Sequence, residues 1–447
     1  MALFDGIANT HNRQKRLILP PMNPIEVMVL GAGGRGTFAY APYARNHPEE
    51  LNITAVAEPD VERRERFGDL YEIAPERRFA SWEEALGAGQ LARAVINCTM
   101  DQMHVASTIA ALNAGYDVLL EKPMAVTPAE CRLLVDTAEN LGRTLQICHV
   151  LRYTSFFSKL YEIVNSGRLG DIVTIDHREN VSFWHMSHSF VRGNWRNVAT
   201  SAPMILAKCC HDMDILVWIM QQSVKRLSSF GGLQHYRAEK APAGAPMRCT
   251  DGCPVEESCL WYAPKLYGAM PGKKETGPSF MVNAMGGSND TPAQRFERLK
   301  ISPYGRCVYH CDNDVVDHQV INMEFEGGVT CTFTMHGHSD IEGRSMRWDG
   351  TRATLYGDFY DQQEIRIRDH GSDKVEVIET SGLTGNMGSG HGGGDEGIIR
   401  DFVSAMRGQT SPRQTTARVS LESHLMCFAA EEARHNGQVI EMARYKA

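Results

Sequence analysis

The run IEVMVLGAGGRG, residues 25–36, constrains the fold more than any other stretch of the chain. A continuous apolar segment ends on Gly31, Gly33 and Gly36 in GxGxxG spacing, and an alanine-rich segment of helical character follows through Ala44. A buried strand that turns on glycines into a helix brings bare backbone, Gly34 and Arg35 included, and first-turn amides to where a pyrophosphate can approach. The spacing alone is a weak signal. Glu58 strengthens it, because it closes the next apolar run, ITAVAEPD, at the distance where a carboxylate accepts both hydroxyls of an adenosine ribose. An acid there repels a 2′-phosphate and points to NAD, while Arg35, Arg63 and Arg64 keep NADP open.

Beyond this unit, a charged helical segment, the run AVINCT, another helix and DVLLEKP alternate, which predicts a doubly wound parallel sheet. After His149 the texture changes to longer alternating segments such as IVTIDHRENVSF. INMEFEGGVTCTFTMH carries Gly327-Gly328 between two alternating runs and predicts a hairpin. The expected fold is therefore α/β: a Rossmann-type parallel sheet, then an α+β domain with a large, mostly antiparallel open sheet. The boundaries read as a mobile arm over 1–23, a dinucleotide-binding domain over 24–149 and a substrate and oligomerisation domain over 150–447, with an insertion around 233–303. Arg418 to Arg434 is helical by pattern, and the glycine-rich GSGHGGGD at Gly388 to Asp395 reads as a loop.

With 447 residues, 43% hydrophobic and 22% charged, the chain is too long for one core, and a net charge of -8 provides no basic field for nucleic acid or anionic membrane. No apolar run is long enough to span a bilayer and the first twenty residues lack a secretory core, so a cytoplasmic protein acting on a small molecule is expected.

Glu121-Lys122-Pro123 after the fourth apolar run resembles the EKP signature of the Gfo/Idh/MocA oxidoreductases. VINCTMDQMHVASTIAALNAGYDVLLEKPMA, HVLRYTSFF, the turn at Gly167 to Ile172, HDMDIL, HGGGD and AAEEARHNG are similar to that family's motifs in the same order. The resemblance implies a nicotinamide site that includes Asn97, Thr99, His104, Glu121 and Lys122, with Arg152 toward the substrate. It implies a carbohydrate or cyclitol substrate on one face of the open sheet and oligomer contacts, as a dimer or tetramer, on the other.

The chemistry of the side chains agrees. An ammonium at Lys122, beside the nicotinamide, can orient a substrate hydroxyl and stabilise developing alkoxide charge, and a neutral His211 can accept the hydroxyl proton as hydride leaves. The family pattern commonly has an aspartate one helical turn before this histidine; here that position is Ala207, with Lys208 beside it. Lys208 then handles a proton, binds the alcohol, or pairs with Asp212 or a substrate acid. ENVSFWHMSHSFVRGNWRN gathers Glu179, Trp184, His185, His188, Arg192, Trp195 and Arg196 in one polar-aromatic stretch suited to a sugar, or to a subunit interface. The leading expectation is a dehydrogenase for a secondary hydroxyl of a sugar, cyclitol or glycoside. The alternatives are an NAD-dependent glycosidase or lyase that oxidises transiently and eliminates, and a non-catalytic dinucleotide sensor.

Seven of twelve cysteines, Cys98, Cys131, Cys148, Cys209, Cys210, Cys331 and Cys427, are scattered or apolar in context. RCTDGCPVEESC and GRCVYHC group Cys249, Cys253, Cys259, Cys307 and Cys311. The first four have spacings compatible with a structural zinc that pins the insertion, though short of a tight CxxC pair; an iron–sulfur cluster and free buried thiols stay open.

Overall fold

The computed structural model describes residues 23–270, 279–285, 290–359, 363–381 and 391–446. The arm expected over 1–23 therefore lies, as far as residue 22, outside the described residues, as do Gly388 to Gly390 of the glycine-rich segment.

Six strands, β1 (Ile25–Leu30), β2 (Leu51–Ala57), β3 (Arg78–Phe79), β4 (Ala94–Asn97), β5 (Asp117–Leu120) and β6 (Leu145–Ile147), form one parallel sheet in the order β3-β2-β1-β4-β5-β6. Their continuous apolar runs follow from burial on both faces. Val27, Val29, Ile53 and Ile96 pack against Tyr40, Tyr43 and the helix Gly394–Met406; Met28, Leu30, Val95 and Val118 pack against Leu112, Leu134 and Val135 of the helices His104–Asn113 and Pro128–Asn140. The order reverses between β1 and β4, and at this switch point the carboxyl ends of the strands leave a crevice. The first helix departs from a plain α-helix: Arg35–Tyr40 is wound as a π-helical turn before the short helix Pro42–Asn46.

The second sheet has nine strands: β7 (Ile172–Ser182), β8 (Val224–Gly232), β9 (His318–Phe325), β10 (Thr330–Ser339), β11 (Gly343–Gly350), β12 (Ala353–Phe359), β13 (Glu364–Asp369), β14 (Val375–Glu379) and β15 (Ile440–Glu441), in the order β14-β13-β12-β11-β7-β10-β9-β8-β15. Every neighbouring pair is antiparallel except β7 with β10. The hairpin expected at Gly327-Gly328 joins β9 to β10. Alternation decides the two faces: Ile175, His177, Glu179 and Val181 of β7 point inward, under the helices Ser155–Asn165, Cys210–Met220 and Ala417–Asn436. The outward face carries Asp176, Arg178 and Arg347 together with Phe230, so it is mixed in polarity. Among the described residues no helix is long and apolar enough to cross a membrane.

Within 233–303, Tyr262, Leu266, Tyr267, Met281 and Leu299 build a small separate core with Cys249 and Cys253. The described end of the glycine-rich segment, His391–Gly393, makes a 3-10 turn into the helix that begins at Gly394.

Candidate functional site

The glycines of the first turn divide by what surrounds them. Gly31 has φ +89°, and a Cβ there would meet the Cys98 carbonyl oxygen at 2.5 Å; a Cβ on Gly36 would meet the Gly31 carbonyl oxygen at 2.2 Å. These two let the strand and helix close on each other. Gly33 and Gly34 face open space, with only Arg63 Nη1 near Gly33, at 3.9 Å from an ideal Cβ. That open side, beside the first-turn amides, fits a pyrophosphate. Glu58, buried at the end of β2, accepts from the Ala32 amide (2.9 Å) and the Asp60 amide (3.1 Å), which fixes its carboxylate against the glycine loop. Arg63 is half exposed 4.0 Å from that carboxylate, and Arg64 donates to the Glu58 carbonyl.

Arg35 does something the sequence did not suggest. Its guanidinium pairs with Glu121 of the EKP motif and with Asp395 of the HGGGD motif (2.7 Å) and donates to Tyr40 Oη (2.6 Å). Burial opposes charge on Glu121, yet Arg35 and Lys122 hold its carboxyl below the usual carboxylate range. The expectation that Arg35 contacts the cofactor is corrected to this extent: its charge is committed to two carboxylates, which leaves it no free fork for a phosphate. Asn97 is fully buried, donating to Ser107 and Thr108 and accepting from the Thr99 amide and hydroxyl. His104 bridges the Pro123 and Thr99 carbonyls (2.6 and 3.0 Å) and so ties the EKP turn to the end of β4.

Lys122 points from the EKP turn into the second half of the chain, where its ammonium donates to the Ala207 carbonyl (2.8 Å) and makes no ion pair among the described residues. The position where an aspartate was expected thus contributes its backbone. His211 is only 5% exposed and its Nδ1 has no hydrogen-bond partner among the described residues. Burial, then Lys122, His149 and His391, push its pKa well below the ordinary histidine value, so the ring is neutral at physiological pH. Its ring neighbours are His149, at 5.6 Å between centroids, and His391, at 6.2 Å.

Beside this pair is a charge network reached from strands. Lys208 lies 3.2 Å from Glu179 of β7 and 3.2 Å from Glu342, the residue before β11, and is not paired with Asp212 as the sequence had allowed. Asp212 instead accepts from Arg344 (2.7 Å) and faces His177 Nε2 (2.8 Å), and Arg344 also pairs with Glu179. His185 Nδ1 lies 2.7 Å from Glu342. Burial raises the Glu179 carboxyl to about 7, with Arg344 and Lys208 opposing. For Glu342, His185 and Lys208 overcome burial and hold it far below the usual range. Glu342, Arg344, His149 and His391 were not singled out from sequence as site residues; only the motifs holding His149 and His391 gave a signal, and Glu342 and Arg344 had none.

Five expected substrate contacts are engaged elsewhere. Arg152 is buried with Nε and Nη2 bound to Asp214 (2.7 and 2.6 Å), so it is a core ion pair and not a substrate reader. His188 is buried, bonded to Tyr267 Oη (2.8 Å) and stacked on Tyr304. Arg192 is buried and donates to the Trp261 and Arg306 carbonyls, and Arg196 pairs with Asp312. Trp195 donates to Asp101 from a partly buried position. His185 stays beside Lys208. Cys249, Cys253, Cys259 and Cys307 do line one cavity. Among the described residues, however, no three of their sulfurs lie within 4.8 Å of one another, the one such ligand group being His47, Glu49 and Glu50. A zinc with Zn–S near 2.3 Å needs sulfurs about 3.8 Å apart, so a tetrahedral zinc does not fit these four as they stand.

Comparison with known proteins gives the following. Residues 25–149 match the GFO_IDH_MocA model, an oxidoreductase family with an NAD-binding Rossmann fold, and residues 162–442 match the model of that family's C-terminal alpha/beta domain. YteT of Bacillus subtilis is 21% identical over 385 residues, 81% of this chain and 84% of that protein. The D-glucoside 3-dehydrogenase of Escherichia coli is 30% identical over 154 residues, 34% of this chain and 42% of the enzyme. The crystal structure of an inositol dehydrogenase homolog from Azotobacter vinelandii, complexed with NAD+, covers 94% of this chain and 98% of its own with a TM-score of 0.68 at 16% identity, a likeness of fold.

Proposed function

The chain belongs to the Gfo/Idh/MocA oxidoreductase family, and on that premise we propose that it is an NAD-dependent dehydrogenase for a secondary hydroxyl of a sugar or cyclitol. The observation that supports the reading is the proximity of Lys122, an ammonium with donors to spare, to His211, a buried neutral imidazole whose Nδ1 has no partner among the described residues. Bound NAD supplies a hydride acceptor. Gly33 and Gly34 leave its pyrophosphate room, and Glu58 is fixed to accept the ribose hydroxyls, which favours NAD over NADP. Lys122 donates to the substrate oxygen and stabilises the charge that develops there; His211 Nδ1 takes the hydroxyl proton. Lys208 has its charge balanced by the ionised Glu342 and faces Glu179, so it acts as a positioning residue for the wall that holds His185. The names of the relatives, D-glucoside 3-dehydrogenase and inositol 2-dehydrogenase, support a polyol substrate; the transient-oxidation glycosidase finds no such support.

The test is absorbance of NADH during incubation with NAD and a panel of free sugars, inositols and aryl glycosides. Stoichiometric NADH with a polyol, lost in Lys122→Met while NAD still binds, is the expected result. Aglycone release without net NADH, or NADH formation that survives Lys122→Met, overturns the assignment.

A further inference from the structure

Cys249, Cys253, Cys259 and Cys307 converge although the last is separated from the others by the insertion. Cys259 lies within electrostatic reach of Cys249 and Cys253, and Cys307 within reach of Cys249 and Cys259. The convergence is built by backbone: the Cys249 amide donates to the Gly305 carbonyl (2.9 Å), the Cys307 amide to the Met247 carbonyl (2.9 Å), and Arg248 bridges Arg306. All four thiols are free, with no disulfide between them.

They surround a small void, with room of about 10 Å³ for the centre of a water-sized sphere, closed by Pro242, Val255, Trp261 and Tyr309. A water needs two to four polar partners to stay, and these walls are sulfur, aliphatic and ring atoms. One metal ion would draw the sulfurs together, yet no three of them close to within 4.8 Å. Thiolates that each hold a different iron of a cube stand farther apart than four thiolates on one ion, with a void between them.

Charge and hydrogen bonding make a second case. Arg192 is 0% exposed, forms no ion pair with a carboxylate among the described residues, and has Nη1 without a hydrogen-bond partner there. Its Nη2 lies 3.8 Å from Cys249 Sγ. A buried guanidinium without a counter-charge is strongly unfavourable, and four thiolates on a cluster provide one. The amides of Trp261 and Tyr309, each two residues beyond a cysteine, donate to the sulfurs of Cys259 and Cys307. Such bonds to sulfur are a means by which proteins hold and tune clusters.

We propose that Cys249, Cys253, Cys259 and Cys307 ligate a four-iron, four-sulfide cluster that fixes the insertion to the segment leading into β9, with Arg192 as its buried counter-charge. The cluster is structural and no electron step is assigned to it. It stiffens one wall of the cleft, since His188 joins this lobe through Tyr267 and Tyr304 while His185, one turn earlier, meets Glu342 beside Lys208.

The experiment is anaerobic purification of the full chain, followed by iron, zinc and acid-labile sulfide analysis and a visible spectrum, with reconstitution from ferrous iron and sulfide where the isolated protein is colourless. About four iron and four sulfide per chain are expected. Cys253→Ser and Cys259→Ser should each lose most of that iron, and Cys331→Ala, whose sulfur is in the core of the large sheet, should keep it. One zinc per chain without sulfide, or no iron uptake on reconstitution of a folded chain, overturns the proposal. If the serine variants fail to fold, the metal and sulfide content of the unaltered chain still decides.

Discussion

Replacing Lys208 by Met removes one positive charge from a buried network that already holds more acids than bases. Glu179, Glu342 and Asp212 are the acids and Lys208 and Arg344 the cations, so the network favours a proton on one carboxyl, and Glu179, raised to about 7, carries it. At 3.2 Å the Lys208 ammonium interacts with the Glu179 carboxylate by about 5 kcal/mol at an effective dielectric near 20. With Lys208 still partly open to water, we take half of that, which is about two pKa units at 1.36 kcal/mol each. Glu179 should then hold its proton to roughly pH 9 in Lys208→Met. The sign follows from proton uptake: between the unfolded glutamate value, about 4.3, and the folded value, only the folded chain holds the proton, so stability falls as pH rises. In the parent this fall ends near 7, whereas in Lys208→Met it continues. The assay is urea unfolding of both proteins from pH 7 to pH 9. The stability gap should widen by roughly 2 to 3 kcal/mol across that range. Histidines buried as neutral rings cancel in the difference, because they take up the same protons on unfolding in both proteins. A gap that stays constant would refute the coupling of Lys208 to Glu179.

Gly33→Ala should leave stability within about 0.5 kcal/mol but weaken NAD binding, because its Cβ enters the open side of the loop, whereas Gly36→Ala drives a Cβ into the Gly31 carbonyl and should lower both Tm and NAD affinity. Calorimetry with and without NAD separates the two effects. Asp214→Ala strands the Arg152 guanidinium in the core and should cost about 3–5 kcal/mol in denaturant unfolding; a loss under 1 kcal/mol would mean that water reaches Arg152. The acid limb of kcat/KM should lie well below pH 6.5, since burial and Lys122 keep His211 neutral, and a limb at the ordinary histidine value would remove His211 as the proton acceptor.

How much of this was legible in the sequence depends on how far apart the partners lie in it. Gly31 to Gly36, Glu58 and the EKP turn are local signals: each says what its own backbone must do, and the parallel sheet presents all three at one edge. The hairpin at Gly327-Gly328 is legible for the same reason. Arg152 looked available because nothing near it in sequence claims it, yet Asp214, 62 residues on, takes its guanidinium. The missing aspartate at Ala207 looked like a lost acid; the structure supplies acids from strand ends, Glu179 and Glu342, which no helical spacing around His211 encodes. Likewise the cysteine spacings suggested a metal but did not say that, among the described residues, no three of these sulfurs would lie within 4.8 Å of one another.

Arg35 makes the physical point most directly. As a residue inside GxGxxG it reads as a cofactor contact, but its guanidinium joins the glycine loop to Glu121 and, across 360 residues, to Asp395. Asp395 lies in the first turn of the helix that packs on β1 and also holds His391, a ring neighbour of His211. The same cation therefore fixes the loop meant for the pyrophosphate, the turn that presents Lys122 and the histidine that helps keep His211 neutral. Three motifs that sequence reading can only place side by side become one site because a single cation from the glycine loop pairs with the carboxylates of the other two.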